Sequence, residues 1–213
     1  MAPVEPEAIA EDVWLLRAFA DAGALRAGID AVAADAPFVH LRTRSGRMSV
    51  ALTNCGLWGW HSDERGYRYV DFNPATGRSW PTMPALFVDL ADRAALRVGF
   101  PPFAPDCCLI NRYAIGARMG THRDFDELDL RHPIVSVSIG LSATFLWFGA
   151  KRTGTPKKVP LADGDVMVWG GTARAGYHGV CRVDHEDSGV REPVGACAAD
   201  ESVRFNLTFR RAK

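Results

Sequence analysis

The second half of the chain is a series of short β-rich segments, and this pattern restricts the possible fold more than any other feature. Seven segments follow residue 106, each bounded by Gly, Pro, Asp or Ser: CCLINRY, PIVSVSIG, ATFLWFG, KKVPL, DVMVWG, YHGVCRV and RFNLTFR. Short strands at near-regular spacing are typical of an all-β sandwich or barrel. We therefore predict a β-sandwich core over about residues 106–213.

The first half favours helices. Leu25, Ile29 and Val32 have helical spacing over residues 22–34, and Pro37 ends that segment. Residues 84–98 give the clearest helix, with a proline near its start. No linker separates the two halves, and 213 residues suit one domain. We predict a single α+β, mainly β domain spanning residues 1–213.

Composition and cysteine usage exclude several classes of protein. Apolar residues make up 47% of the chain and charged residues 23%, which excludes bulk disorder. The five cysteines are odd in number and contain no Cys-x-x-Cys, so a disulfide framework and a zinc ribbon are both poor interpretations. The N-terminus is acidic and no apolar run reaches about 18 residues, so we predict a cytoplasmic protein without membrane association.

The overall charge gives no argument for nucleic acid, because 25 Lys and Arg balance 25 Asp and Glu. Two local stretches are basic, one with Arg42, Arg44 and Arg47, the other at residues 151–158. Each is either a solvated loop or a rim that contacts phosphate, which needs only local positive potential.

A candidate metal site lies in GTHRDFDE, residues 120–127. His122 and Asp124 are two residues apart, so in an extended segment their side chains point to the same face. His178, in GYHGV, lies on another predicted strand. Two imidazoles and one carboxylate can occupy one face of an octahedral metal and leave three positions open, as in non-haem Fe(II) oxygenases. His-x-Asp also occurs in surface loops, so the pattern alone leaves that interpretation open.

The last β-rich segment alternates completely between polar and apolar residues. Its polar face carries Arg204, Asn206, Thr208 and Arg210, and its apolar face carries Phe205, Leu207 and Phe209. The polar face is either solvated or lines a cavity, where each arginine could bind a carboxylate bidentately. Asn111 and Tyr113, also two residues apart, are either hydrogen-bond donors to a buried ligand or a strand end facing water. Adjacent Cys107 and Cys108 favour buried packing over a nucleophile.

Eight segments in a fixed order carry a resemblance to a known family: MSVALTNCG with GW (48–60), WPTMP (80–84), LINRYAIGA (109–117), HRDFDELDLRHPIVSVSIGL (122–141), FGAKR (148–152), DGDVMVWGG (163–171), YHGV (177–180) and RFNLTFR (204–210). The chain resembles the AlkB family of Fe(II)- and 2-oxoglutarate-dependent dioxygenases, in particular its bacterial alkylation-repair branch. The resemblance covers nearly the whole chain from about residue 13. It implies a double-stranded β-helix, or jelly-roll, with N-terminal helices and a nucleotide-recognition lid at about residues 36–82.

The resemblance also implies a role for each matched residue. The Fe(II) ligands and catalytic centre are His122, Asp124 and His178, and the 2-oxoglutarate contacts are Asn111, Tyr113, Arg204, Asn206 and Arg210. Arg204 matches the arginine that pairs with the distal carboxylate, and Arg210 matches a second arginine near the metal. The substrate contacts are Trp60, Tyr67, Asp126, Glu127 and Arg152. Trp60 is expected to stack on a flipped base, while Asp126 and Glu127 are expected to lie near that base.

The activity that the resemblance implies is oxidative demethylation of N-alkylated bases such as 1-methyladenine and 3-methylcytosine. The reaction consumes 2-oxoglutarate and O₂ and releases formaldehyde, succinate and CO₂. The expected substrate is single-stranded DNA, with double-stranded DNA and RNA as further candidates, and the expected form is a monomer. Two alternatives stay open: a 2-oxoglutarate dioxygenase acting on modified tRNA, a protein side chain or a small molecule, and a catalytically silent binding module.

Overall fold

The computed structural model describes residues 5–43, 46–183 and 202–213, and strands dominate it. The strands are β1 (Glu7–Ala10), β2 (Val13–Leu16), β3 (Arg42–Thr43), β4 (Gly46–Arg47), β5 (Ala51–Gly56), β6 (Gly59–Asp63), β7 (Gly66–Val70), β8 (Cys107–Ala114), β9 (Met119–His122), β10 (Ile134–Gly140), β11 (Ala143–Gly149), β12 (Lys157–Leu161), β13 (Val166–Trp169), β14 (Tyr177–Val180) and β15 (Val203–Arg210). The helices are α1 (Ala22–Asp35), α2 (Ala85–Arg97) and a 3₁₀ turn at Gly171–Ala173. Each of the seven predicted β-rich segments contains a strand, and both predicted helices form. Arg44, part of one predicted basic stretch, lies outside the described residues.

Two antiparallel sheets form the core. The large sheet has the order β1-β2-β13-β10-β15-β8-β5, and the small sheet has the order β12-β11-β14-β9. Apolar side chains of both sheets pack together, with Phe145 and Trp147 of the small sheet in one cluster with Met167 and Trp169 of the large sheet. Two antiparallel sheets packed face to face are the arrangement of a jelly-roll. The prediction of a mainly β fold with a double-stranded β-helix core is confirmed.

The large sheet recruits strands from the first half of the chain, so it extends beyond the predicted range of 106–213. Strand β2 pairs with β13, and β5 pairs with β8. Without these partners β13 and β8 would be exposed edges with unpaired backbone groups, which proteins avoid. Strand β5 falls inside the range predicted for the lid, yet it belongs to the core sheet.

Both helices cover the outer face of the large sheet. Asp21 caps α1, since its side chain accepts a hydrogen bond from the backbone N–H of Ala24 at 3.1 Å. Buried residues of the helices pack in one cluster with the odd-numbered residues of β15: Leu25, Ile29, Phe87, Leu90, Phe205, Leu207 and Phe209. The even-numbered residues of β15 therefore face away from the helices, toward the small sheet.

Two short hairpins stand beside the sandwich, β3–β4 and β6–β7. Asn54 of β5 fastens the second hairpin: its Nδ2 donates to the Trp60 carbonyl at 3.2 Å, and its Oδ1 accepts from the Trp60 N–H at 3.0 Å. Trp60 lies opposite Tyr69 in this hairpin. In the described part of the chain, neither helix has the length and hydropathy needed to cross a bilayer.

Candidate metal and co-substrate site

A cavity of about 760 Å³ opens between the two sheets. The large sheet contributes Asn111, Tyr113 and the polar face of β15, and the small sheet contributes His122 and His178. This volume is within the usual range for small-molecule sites. The polar face of β15 therefore lines a cavity, which decides between the two interpretations of its alternation.

The three predicted metal ligands meet in this cavity. Strands β9 and β14 are neighbours, and His122 lies directly opposite His178. Asp124 follows the end of β9, with Oδ1 4.0 Å from Nε2 of His122 and Oδ2 3.8 Å from Nε2 of His178. One ligand atom from each residue lies within 4.8 Å of the others, which is close enough to surround a single ion.

Backbone carbonyls orient both imidazoles. Nδ1 of His122 donates to the carbonyl of Gly120 at 2.9 Å, and Nδ1 of His178 donates to the carbonyl of Gly176 at 3.0 Å. This assignment leaves the Nε2 lone pair of each ring directed at Asp124, as is usual for histidine ligands. Burial, followed by the nearby His122, lowers the pKa of His178 to about 3, so this ring is neutral at physiological pH.

Asp124 is held as a carboxylate. Burial by itself raises its pKa, but the positive charges of the nearby Arg210 and Arg174 guanidinium groups help to hold that pKa below its usual range. Nη2 of Arg210 lies 2.8 Å from Oδ2 of Asp124, which is nevertheless buried without a hydrogen bond of good geometry. Two imidazoles and one carboxylate with a spare lone pair are the donor set that suits non-haem Fe(II).

Arg204 is positioned to bind an anion. It is 1% exposed, its Nη2 donates to Oγ of Ser138 at 2.9 Å, and its Nε has no partner. Within the described residues no carboxylate pairs with this guanidinium. A buried cation without a counter-ion is costly, so the site favours a carboxylate from a ligand. The arrangement fits the distal carboxylate of 2-oxoglutarate.

An amide network lies between Arg204 and the candidate metal ligands. Nδ2 of Asn111 donates to Oδ1 of Asn206 at 3.3 Å, and Oγ1 of Thr208 donates to the same oxygen at 2.9 Å. Nδ2 of Asn206 donates to Oγ of Ser136 at 2.8 Å. Oδ1 of Asn111 is buried without a partner. This network fixes the amides in the cavity and leaves an acceptor for a ligand.

Four of the five predicted substrate residues line the mouth of the cavity: Trp60, Tyr67, Asp126 and Arg152. The Trp60 and Tyr67 rings stack with their centroids 5.3 Å apart. Nε1 of Trp60 donates to Oδ2 of Asp126 at 3.1 Å. An aromatic surface and a carboxylate are thus held side by side at the entrance.

Glu127, the fifth predicted substrate residue, lies behind the cavity wall. It is 7% exposed and accepts a hydrogen bond from the Tyr69 hydroxyl at 2.6 Å. Nη2 of Arg174 is 3.2 Å from Oε2, and Nε of Arg210 is 3.4 Å from Oε1. The turn after β9 directs Asp126 outward and Glu127 inward, where two guanidinium groups compensate its charge. The structure therefore does not bring Glu127 to the base-binding side, where the sequence predicted it.

Two residues of this buried cluster, Arg174 and Tyr69, were not predicted from the sequence. Arg174 also donates through Nη1 to the Asp124 carbonyl at 3.1 Å, which ties it to the candidate metal centre. It stands in GTARAG without any periodic pattern, so no local signal identifies it. Tyr69 is two residues from Tyr67 on the same strand, which is the one signal that could have drawn attention to it.

Neither Cys107 nor Cys108 lines this cavity. Cys107 and Cys108 are fully buried, and burial raises the pKa of each thiol well above its usual value. A thiol that stays protonated is a poor nucleophile. Buried packing is therefore the correct interpretation of this pair.

Comparison with known proteins supplies independent information. The family model of the 2OG-Fe(II) oxygenase superfamily matches residues 12–210. The chain is 45% identical over 218 residues to the alpha-ketoglutarate-dependent dioxygenase AlkB of Escherichia coli, covering 99% of this chain and 96% of that protein. It is 34% identical over 133 residues to the mouse nucleic acid dioxygenase ALKBH1, covering 62% of this chain and 33% of that protein. The solved structure of OsALKBH1 superposes with a TM-score of 0.79 at 25% identity, covering 97% of this chain and 99% of that one.

Proposed function

The chain belongs to the 2OG-Fe(II) oxygenase superfamily and within it to the AlkB family, and from this premise we propose that it demethylates N-alkylated nucleobases by oxidation. The predictions of a dioxygenase and of its cofactors, Fe(II), 2-oxoglutarate and O₂, are confirmed by this membership. When bound, Fe(II) with 2-oxoglutarate and O₂ supplies the oxidation of the methyl group, which leaves as formaldehyde while the co-substrate becomes succinate and CO₂.

We assign the residues of the chain to these tasks by their geometry. His122, Asp124 and His178 would hold the metal. Arg204 would pair with the distal carboxylate of 2-oxoglutarate, and Asn111, Tyr113, Asn206 and Arg210 would complete the co-substrate site. Arg210 also compensates the charge of Asp124 at 2.8 Å, so it acts on the metal side of the cavity.

The main observation in favour of a nucleic-acid substrate is the positive charge at the rim of the cavity. Four exposed arginines line it, Arg47, Arg118, Arg123 and Arg152. Within the described residues none of the four forms an ion pair. Uncompensated guanidinium groups around a cavity favour a polyanion such as a phosphodiester backbone. Relatives that bear the names AlkB and nucleic acid dioxygenase support the same substrate class.

Trp60 and Asp126 give the entrance a preference for a cationic base. A base inside a duplex cannot reach the metal site, so it must be flipped out or start unpaired. We propose that the flipped base stacks on the Trp60 face that Tyr67 leaves open. Methylation at N1 of adenine or N3 of cytosine makes the base cationic, so it gains cation–π attraction from the indole and charge attraction from Asp126.

Several finer properties follow from this proposal. Single-stranded DNA is the preferred substrate, because no base pair has to be broken, and RNA is the second candidate. Residues of about 36–82, without the core strand β5, form the recognition lid. We further propose that the protein acts as a monomer. Cys55 and Cys108 lie opposite each other as free thiols, which suits the reducing cytoplasm.

The decisive experiment is mass spectrometry of a single-stranded oligonucleotide with one 1-methyladenine, incubated with Fe(II), ascorbate and 2-oxoglutarate in air. We expect the loss of one methyl mass, dependent on every component and absent in His122→Ala. Succinate without methyl loss would overturn the proposed substrate and direct the search to modified tRNA or another class. In Trp60→Ala, we expect methyl loss to fall while succinate formation from 2-oxoglutarate alone persists.

A further inference from the structure

The segment that carries two of the candidate metal ligands, residues 122–125, also presents two other side chains to solvent. His122 and Asp124 point into the cavity, and the alternate residues Arg123 and Phe125 are exposed. The Phe125 side chain is 52% exposed, a large aromatic ring in water directly beside the entrance. Single exposed apolar residues are common on protein surfaces and need no explanation by themselves. Phe125 is of interest because other side chains contact it.

Other groups do converge on Phe125. The Arg123 guanidinium carbon lies 4.5 Å from the centre of the Phe125 ring and 5.3 Å from the centre of the Tyr177 ring. Two aromatic rings thus fix the guanidinium at the rim of the cavity, which both Arg123 and Tyr177 line. Tyr177 precedes the candidate ligand His178 on β14, and Arg123 directly follows His122 at the end of β9, so this cluster adjoins both candidate histidine ligands.

The charge of this cluster is not satisfied by the protein. Within the described chain, the Arg123 guanidinium has no carboxylate partner. By contrast, exposed Arg131 is paired with Asp129 at 2.7 Å. A guanidinium that contacts ring faces can still offer its N–H groups to a ligand, and their planar fork matches phosphate geometry.

Taken with the proposed function, on which this inference rests, these contacts define a second nucleotide position. We propose that Phe125 is a stacking platform for the nucleobase adjacent to the methylated one, and that Arg123 binds the phosphate that joins the two nucleotides. The target base enters the cavity beside Trp60 and Asp126, and its neighbour on the same strand remains outside on Phe125. Aromatic platforms of this kind bind single-stranded nucleic acid with little sequence preference, because every base has a π face.

The test compares three trinucleotides with a central 1-methyladenine. One carries both flanking bases, one lacks the 5′ flanking base, and one lacks the 3′ flanking base. We expect the wild type to show a KM about tenfold higher for one of the abasic trinucleotides, consistent with the loss of one stacked base. Phe125→Leu should raise KM for the fully flanked trinucleotide about tenfold and remove the difference among the three, with kcat little changed. Phe125→Trp should preserve the difference and lower KM, because the larger ring offers more stacking area.

Matched control variants test whether these effects are specific to Phe125 and Arg123. Phe72, a phenylalanine with 47% exposure that does not line the cavity, gives the control Phe72→Leu. Arg123→Gln should raise KM for all three trinucleotides, whereas Arg131→Gln should not. Equal KM values for the three substrates in the wild type, or an unchanged flanking-base effect in Phe125→Leu, would overturn this inference alone. No demethylation of any trinucleotide by the wild type would instead refute the proposed function.

Discussion

At the scale of single residues, the candidate metal centre depends on a buried cluster of compensated charges. Asp124 and Glu127 supply two carboxylates, Arg174 and Arg210 supply two guanidinium groups, and Tyr69 donates to Glu127 at 2.6 Å. All five are buried. Breaking such a cluster at one member leaves an uncompensated polar group in a medium that cannot solvate it. The cluster therefore fixes the position of Asp124 in the cavity wall.

Removal of the Tyr69 hydroxyl tests this role. Tyr69→Phe deletes one hydrogen bond to a buried carboxylate, so we expect the free energy of unfolding to fall by about 1–3 kcal/mol. Outer-shell partners of metal ligands also tune affinity, so anaerobic Fe(II) titration should show about tenfold weaker binding. Tyr67→Phe, the same change at a 56% exposed residue of the same strand, should leave stability nearly unchanged. Identical unfolding and Fe(II) titration curves for wild type and Tyr69→Phe would contradict this role.

The same cluster shows which site residues a sequence can reveal. His122, Asp124 and the polar face of β15 follow two-residue periodicity, so local pattern was sufficient to place them on common faces. Glu127 follows a strand end, where that periodicity no longer applies, and it faces Arg174, which is nearly fifty residues away in the chain. Charge compensation between distant segments has no local sequence signature. For this reason Glu127 was predicted to lie near the base, and Arg174 was not predicted at all.

At the scale of secondary-structure elements, the register between β10 and β15 positions the co-substrate side chains. Gly140 pairs with Arg204 at the end of this ladder and has a φ of +81°. A Cβ at Gly140 would lie 2.5 Å from the carbonyl oxygen of Val203, a backbone atom that cannot rotate away. The glycine thus permits the close approach that brings Arg204 into the cavity.

Gly140→Ala should therefore harm both stability and co-substrate binding. Gly116 has a φ of +84° and open space around its Cβ position, so Gly116→Ala imposes the backbone strain without the collision. We expect Gly140→Ala to lower the free energy of unfolding by at least about 1–2 kcal/mol more than Gly116→Ala, as overpacking does. The KM for 2-oxoglutarate should rise in Gly140→Ala and not in Gly116→Ala. Equal stabilities and equal KM values for the two variants would show that the register at Gly140 is not restrictive.

Strands and helices could be predicted from the sequence where the residue pattern within the segment itself determines its structure. The alternation in β15 and the helical spacing in α1 are strong because each element packs one apolar face into the core. Strand β5 lies in the range of about residues 36–82 that the family resemblance implied for the lid, whereas its membership in the core follows from pairing with β8. Long-range pairing is a property of the assembled sheet, so sequence pattern gave no indication of it.

At the scale of the whole molecule, the charge distribution matters more than the total charge. The formal net charge is zero, so the protein as a whole has no attraction for a polyanion. The four rim arginines concentrate positive potential at one opening, whereas arginines elsewhere, such as Arg17 and Arg68, are neutralised by neighbouring carboxylates. Binding of nucleic acid should therefore depend on a few local contacts.

This distribution predicts a measurable salt dependence. Each phosphate neutralised on a single strand contributes about 0.7 to the slope of log K against log salt concentration, so four arginines predict a slope of about −3. Arg152→Gln should reduce the steepness by about 0.7 and weaken binding of methylated and unmethylated oligonucleotides alike, measured by fluorescence anisotropy between low and moderate salt. Arg131→Gln removes the same charge from a residue already paired with Asp129, so its slope should equal that of the wild type. A slope near zero, or equal losses in the two variants, would mean that the rim does not contact phosphate and that substrate affinity resides inside the cavity.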